Sequence, residues 1–199
     1  GNAYVKPPDR YSVGVSARFM RTGEKQYVSN EQICEIFAEI ACFLQKRRPD
    51  SHFYLFDTCR NLHDSDRHAL KKFVKRARLK RDAYTWVDMK DPVALCSYIG
   101  SMDWMLSQRL HGNLLAWVQG VPGVNFDYKD RKTYDALSVV GVERYIMRTD
   151  QYNLDTYAAL YAELIERRTA LIESVRGRCN VFRDSQHEFV RSLLIKLSR

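Results

Sequence analysis

Residues 104–126 read WMLSQRLHGNLLAWVQGVPGVNF, and this stretch decides the fold. A short apolar run, 104–106, enters a polar turn; an apolar helical segment follows over 111–119 and stops at Gly120; a second apolar run, 121–126, closes the unit. Strand, helix and strand in such quick succession make a βαβ unit, whose two strands must lie parallel.

Working outward, the same alternation repeats. Toward the N-terminus, 11–17 (YSVGVSA) is a buried strand, and 18–26 is a polar loop at its carboxyl end. Ser29 and Gln32 form a capping box for a helix whose apolar residues, Ile33, Ile36, Phe37, Ile40, Phe43 and Leu44, recur at helical spacing until Pro49. Strands are expected at 52–56 and 83–87, with a helix over 65–78 between them; Asp91 and Pro92 open a third helix through Ile99. Toward the C-terminus, 132–140 is a helix stopped by Gly141, and two amphipathic helices, 154–175 and 185–197, are separated by 177–180. The chain is therefore α/β and doubly wound: a mostly parallel sheet with helices on both faces, plus C-terminal helices. Residues 1–10 are a lead-in, 11–150 the α/β domain, and 151–199 helices packed on it.

Bulk properties narrow the classes. The chain has 199 residues, 45% hydrophobic and 28% charged, which suits one core of ordinary globular composition. No apolar run reaches the ~20 residues of a membrane span, and no signal-peptide pattern opens the chain. Five scattered cysteines, none in a CxxC pair, fit a reduced, cytoplasmic setting, with the cytoplasmic membrane face as a second place of action. The net charge of +8 favours anionic partners without choosing among them. No GxGxxG occurs, so a dinucleotide is disfavoured, and no cofactor is expected.

In open parallel sheets, ligands bind beyond the carboxyl ends of the strands, where helix N-termini present unpaired N–H groups. The turn Ser107-Gln108-Arg109-Leu110-His111-Gly112 lies at such a place. Arginine offers a planar fork to carboxylate or phosphate, histidine moves a proton near neutral pH, and glycine permits close backbone approach. The plainer alternative has Arg109 paired with a local carboxylate and His111 merely starting a helix.

The run SQRLHGNLLAWVQGVPGVNFDYKDRK, 107–132, resembles the signature stretch of the polysaccharide pyruvyl transferase family. Its marks are Ser-x-Arg-Leu-His-Gly, an apolar helix, Gly120-Val121-Pro122, then an aromatic residue and a lysine before a helix ending at Leu137-x-x-x-Gly141. The resemblance extends over about 11–147. It implies the donor half of a GT-B-like fold and the transfer of pyruvyl from phosphoenolpyruvate onto two hydroxyls of a sugar or lipid-linked glycan as a ketal, in the making of exopolysaccharide or cell envelope. It places Arg109 and His111 as the donor-binding pair beside the Leu110 main chain, with Arg18 as a further donor-binding arginine. Ser107, Gly112, Tyr128 and Lys132 join them in contacting substrate, and His111 is the expected general acid. Lys132 stands four residues past Tyr128, with Arg131 where the family places its lysine. The family's N-terminal acceptor domain, with its Gly-Asn-x-Gly-Asp loop, has no counterpart here; Gly1-Asn2-Ala3-Tyr4 does not reproduce it.

Two other classes remain open: the C-terminal domain of a nucleotide-sugar glycosyltransferase, and a non-enzymatic basic binding module built on 71–81 (KKFVKRARLKR). In that run Leu70, Phe73, Val74 and Ala77 can form a buried face, so a solvated helix surface is the simpler expectation and nucleic acid is a disfavoured partner. Asp57, His63, Asp64, Asp66 and His68 read as caps and loop solvation rather than a metal cluster. Trp86, Trp104 and Trp117 are expected in the core, and Gly14 at a bulge or at close backbone approach to ligand.

Overall fold

The computed structural model describes residues 10–20, 24, 26–57, 60–61, 64–88, 91–127 and 131–197. In chain order the elements are β1 (Tyr11–Ser16), α1 (Asn30–Arg47), β2 (Ser51–Phe56), β3 (Arg60–Asn61), β4 (Asp64–Ser65), α2 (Asp66–Arg76), β5 (Tyr84–Val87), α3 (Pro92–Ile99), β6 (Trp104–Ser107), α4 (Leu110–Val118), β7 (Asn125–Asp127), α5 (Lys132–Val140), β8 (Ile146–Arg148), α6 (Leu154–Glu166) and α7 (Arg168–Leu197). β3 and β4 form a small antiparallel hairpin, while the other six strands make one parallel sheet in the order β5-β2-β1-β6-β7-β8. The chain starts at the centre, builds outward through β2 and β5, and returns to the other side of β1 with β6. This is a doubly wound α/β fold, and its winding reverses between β1 and β6.

Alternation along each strand divides the core into two layers. Val13, Val15, Phe53, Leu55, Trp104, Leu106 and Phe126 point into the larger one, where they meet Phe37 and Ile40 of α1, Leu70 and Phe73 of α2, and Tyr157 and Leu164 of α6. Tyr54, Phe56 and Met105 point the other way, against Tyr98 and Ile99 of α3 and Ala116 of α4. Strands buried on both faces read as near-continuous apolar runs, which is why β1, β2 and β6 were legible. Fully burying each large side chain contributes about 1.5–3 kcal/mol. Trp104 spends its one polar atom well: its indole N–H donates to the Tyr157 hydroxyl at 3.0 Å, so α6 belongs to the same core as β6.

Several local signals act as read. Ser29 and Gln32 complete a reciprocal capping box, Asp91 accepts from Val93 and Ala94 with Pro92 at the first helical position, and Gly120 and Gly141 leave their helices at φ +80 and +76. Other expectations are corrected. Gly14 marks no bulge; it sits in a regular strand because a Cβ there would lie 2.6 Å from Met105 Sδ and 2.9 Å from Phe56 Cε2. The C-terminal break falls at Arg167, not at 177–180, and α7 runs straight through Gly177, an exposed helical glycine costing only about 1 kcal/mol. β7 is shorter than expected, at Asn125–Asp127, and β8 and the β3–β4 hairpin were not anticipated. Trp104 and Trp117 are buried, but Trp86 is only half-buried, with the Arg67 guanidinium 4.8 Å above its ring. No helix among the described residues is long and apolar enough to cross a membrane.

His52, at the amino end of β2, is buried between two polar partners: its Nδ1 lies 2.7 Å from Arg10 Nη1 and its Nε2 2.8 Å from Thr85 Oγ1. Arginine can only donate, so Nδ1 accepts and Nε2 carries the proton. Burial, and then the Arg10 charge, hold the imidazole below its ordinary value of 6.5. The unfolded chain thus takes up this proton at higher pH than the folded one. The stabilisation is complete above about pH 6.5 and is lost as pH falls through the lower, folded value. Denaturant unfolding at a series of pH values should show this slope, and His52→Gln should flatten it.

The C-terminal residue of the α2 turn offers a second test. Arg78 holds φ 51, with its N–H donating to Lys75 O and the next N–H, of Leu79, to Val74 O. This left-handed position favours glycine. Arg78→Gly should raise unfolding free energy by about 0.5–1 kcal/mol in urea denaturation.

Candidate functional site

The loops after β1 and β6 meet at the point where the winding reverses. Ser16 and Ser107, the last residues of the two strands, are in register, and the Gln108 N–H continues the ladder by donating to Ser16 O at 2.9 Å. The Gln108 side chain, almost fully buried, then turns back to accept the Arg18 N–H at 3.1 Å. Gln108 therefore ties the two loops together and brings Arg18 beside the turn that carries Arg109. The β1 loop is closed farther along by Asn30, whose amide accepts from Met20 N at 2.9 Å and donates to Met20 O at 3.0 Å. Its Phe19 ring packs edge-on against His68 of α2.

Ser107 is spent on the turn itself. Its buried hydroxyl donates to Arg109 O at 3.0 Å and accepts the Arg109 N–H at 3.1 Å, which sets Arg109 as the residue capping α4. Gly112 serves packing: a Cβ there would lie 2.7 Å from Ser107 Oγ and 3.4 Å from Ser16 Cβ. The first turn of α4 consequently rests directly on the ends of β1 and β6, and its leading N–H groups sit at the switch point. The close approach that glycine allows here is to the strands.

Arg109 reaches a carboxylate distant in sequence. Its Nε donates to Asp66 Oδ1 at 2.9 Å, and Nη2 donates to the same oxygen. Asp66, the first residue of α2, is completely buried, while the arginine side chain retains 17% exposure. The Asp66 reading as a cap is thus corrected: it is the anchor of a guanidinium supplied from 43 residues away. Arg18 has a looser partner in Glu24, 3.5 Å from its Nη2. One residue past Asp66, Arg67 lies 3.5 Å from buried Asp57 at the end of β2, so the first turn of α2 binds the loop ends on both sides of β1.

Of the residues named from sequence, the structure brings Arg18, Ser107, Arg109 and Gly112 to one end of the sheet. Leu110 and His111 are the first two residues of α4, half-buried and exposed respectively, and Lys132 starts α5 as an exposed residue farther along the same edge. Tyr128 lies outside the described residues, as does His63. Reasoning from sequence missed the roles of Gln108 and Asp66. Gln108 lies inside the recognised hexapeptide but is not one of its marks, and nothing local announces that Asp66 meets Arg109. Two further polar groups at this end are buried without hydrogen-bond partners, the Ser16 hydroxyl and the Asn113 amide in the first turn of α4.

The basic run also finds its place. Ala69, Leu70, Phe73 and Ala77 turn inward, while Lys72 lies 3.2 Å from Glu31 and Arg76 pairs with Glu35 across α1. Among the described residues no group of three or more His, Cys, Asp or Glu side chains is arranged to hold a metal ion. Neither a protein-family model nor a curated protein sequence matches the chain.

The Ser107–Gly112 contact makes a quantitative prediction. Gly112→Ala should cost about 1–3 kcal/mol through the clash with Ser107 Oγ. In a Ser107→Ala background the obstructing atom is gone, so the same substitution should cost less. A double-mutant cycle by urea unfolding should show coupling of about 0.5 kcal/mol or more.

Proposed function

We propose that this chain is the donor-binding half of an enzyme of the polysaccharide pyruvyl transferase type, holding phosphoenolpyruvate at the β1/β6 switch point. The observation that carries this reading is the hydrogen bond from the Arg18 main chain to the Gln108 side chain, which brings the loop bearing Arg18 against the turn bearing Arg109 at the N-terminus of α4. Phosphoenolpyruvate presents a carboxylate and a phosphate. Two guanidinium groups and the leading N–H groups of a helix are suited to hold that pair.

In this reading His111, exposed on the first turn of α4, acts as an imidazolium and gives its proton to the methylene carbon, which becomes the methyl group. One acceptor hydroxyl adds to the neighbouring carbon and a second displaces phosphate there; of the two hydroxyl protons released, one restores the imidazolium and the other leaves with the phosphate, and the ketal results. The α4 N-terminus and the arginines would stabilise the departing phosphate, whose charge grows as the bond breaks. The acceptor is a sugar or lipid-linked glycan, and the setting is the cytoplasm or the cytoplasmic face of the membrane. A nucleotide-sugar glycosyltransferase domain is the second reading, favoured by the strand order, which is that of doubly wound nucleotide-binding sheets.

Calorimetric titration separates these. The chain should bind phosphoenolpyruvate in preference to uridine or guanosine diphosphate. Arg18→Gln should weaken that binding about tenfold or more, the value of one charge-assisted hydrogen bond. Wild-type affinity in Arg18→Gln would sink the donor-site reading. Where pyruvyl transfer is measured, His111→Gln and His111→Ala should abolish turnover while leaving binding in place; near-parental rates in both would remove His111 from the chemistry.

A further inference from the structure

We infer that Asp66 is the residue that decides which anions the switch-point site accepts, acting through Arg109. The inference rests on the donor-site reading above and adds a positioning residue to it.

Asp66 is fully buried, and its carboxylate takes both Nε and Nη2 of Arg109, on the far side of β1. A buried carboxylate is costly unless its partner is well placed, so the pair locks both groups. Two consequences follow for an incoming ligand. First, the guanidinium is held in one orientation, and its remaining N–H groups lie in a fixed plane. A fixed planar fork favours a ligand whose carboxylate and phosphate are rigidly spaced, and gives a lone tetrahedral anion less advantage. Second, Asp66 and Glu24 carry as much charge as Arg109 and Arg18. Each carboxylate weakens the long-range pull of the arginine it faces, which leaves a larger share of recognition to short-range hydrogen bonds from the arginines and the α4 N-terminus. A neutral residue at 66 would weaken both effects, loosening the hold on the guanidinium and adding one positive charge to the site.

The test compares phosphoenolpyruvate with inorganic phosphate by calorimetric titration of the full chain, at about 50 mM and about 300 mM salt, where screening differs strongly. Asp66→Asn should weaken phosphoenolpyruvate binding on the order of tenfold, as loss of an orienting partner does. Phosphate binding should tighten at low salt and lose that gain at high salt. Asp66→Glu keeps the charge and should show no salt-dependent gain for phosphate. A merely structural role would weaken both ligands in parallel, and that result, or unchanged selectivity, would overturn the inference. Should Asp66→Asn melt below the assay temperature, Arg109→Lys serves in its place. It keeps the charge but lacks the fork, so selectivity should fall without any gain for phosphate; retained selectivity would overturn the inference. Arg18→Gln separates the two levels. Phosphoenolpyruvate binding insensitive to Arg18→Gln overturns the donor-site reading and this inference with it, whereas sensitivity to Arg18→Gln with selectivity untouched by Asp66→Asn overturns the role of Asp66 alone.

Discussion

The carboxylate of Asp66, wholly out of solvent, against the Arg109 guanidinium is the contact on which the arrangement of this molecule's working edge depends. Burying an unpaired charge costs several kcal/mol, so the wholly buried carboxylate depends on its guanidinium partner. The pair joins the start of α2 to the start of α4, which flank the loop after the central strand. Arg67, the next residue of α2, makes the matching contact to Asp57 at the end of β2. One helical turn therefore holds the loop ends on the two sides of β1 in fixed relation.

That arrangement is possible only because α4 comes very close to the strands. Gly112 and Gly14 let side chains and backbone occupy space that a Cβ would take, and Met105 fills part of both gaps. The same closeness puts the leading N–H groups of α4 over the ends of β1 and β6, at the reversal of winding. Packing and the placement of the helix N-terminus thus share their cause: the sheet order creates the crevice, and glycine lets the first turn of α4 sit in it.

The contrast between the two arginines is instructive. Arg18 faces Glu24 on its own loop, across a longer gap and with a half-buried partner. Arg109 is anchored to a fully buried group on another element. The second is thereby fixed in orientation at the start of α4. The basic face of α2 plays no part in this; its Lys72 and Arg76 answer acids on α1.

Most of the architecture was legible from residue pattern alone. The apolar runs of β1, β2 and β6, the capping box at Ser29, the Asp91-Pro92 helix start and the stops at Gly120 and Gly141 are local devices, each dictated by a few neighbouring residues and by backbone geometry. Their alternation was enough to require a parallel sheet, and the turn 107–112 announced itself by composition. Three-residue β8 and the helix break at Arg167 escaped because pieces so short, or so dependent on what they pack against, carry no periodicity. The amino-acid order by itself therefore determined the fold class and the location of the polar turn 107–112 at the carboxyl end of β6. Only the tertiary structure decided that Gln108 binds Arg18, that Asp66 holds Arg109, and that Ser107 and Gly112 face their own backbone. Such pairings span up to 90 residues of chain and are set by which strands become neighbours, a property no local window contains.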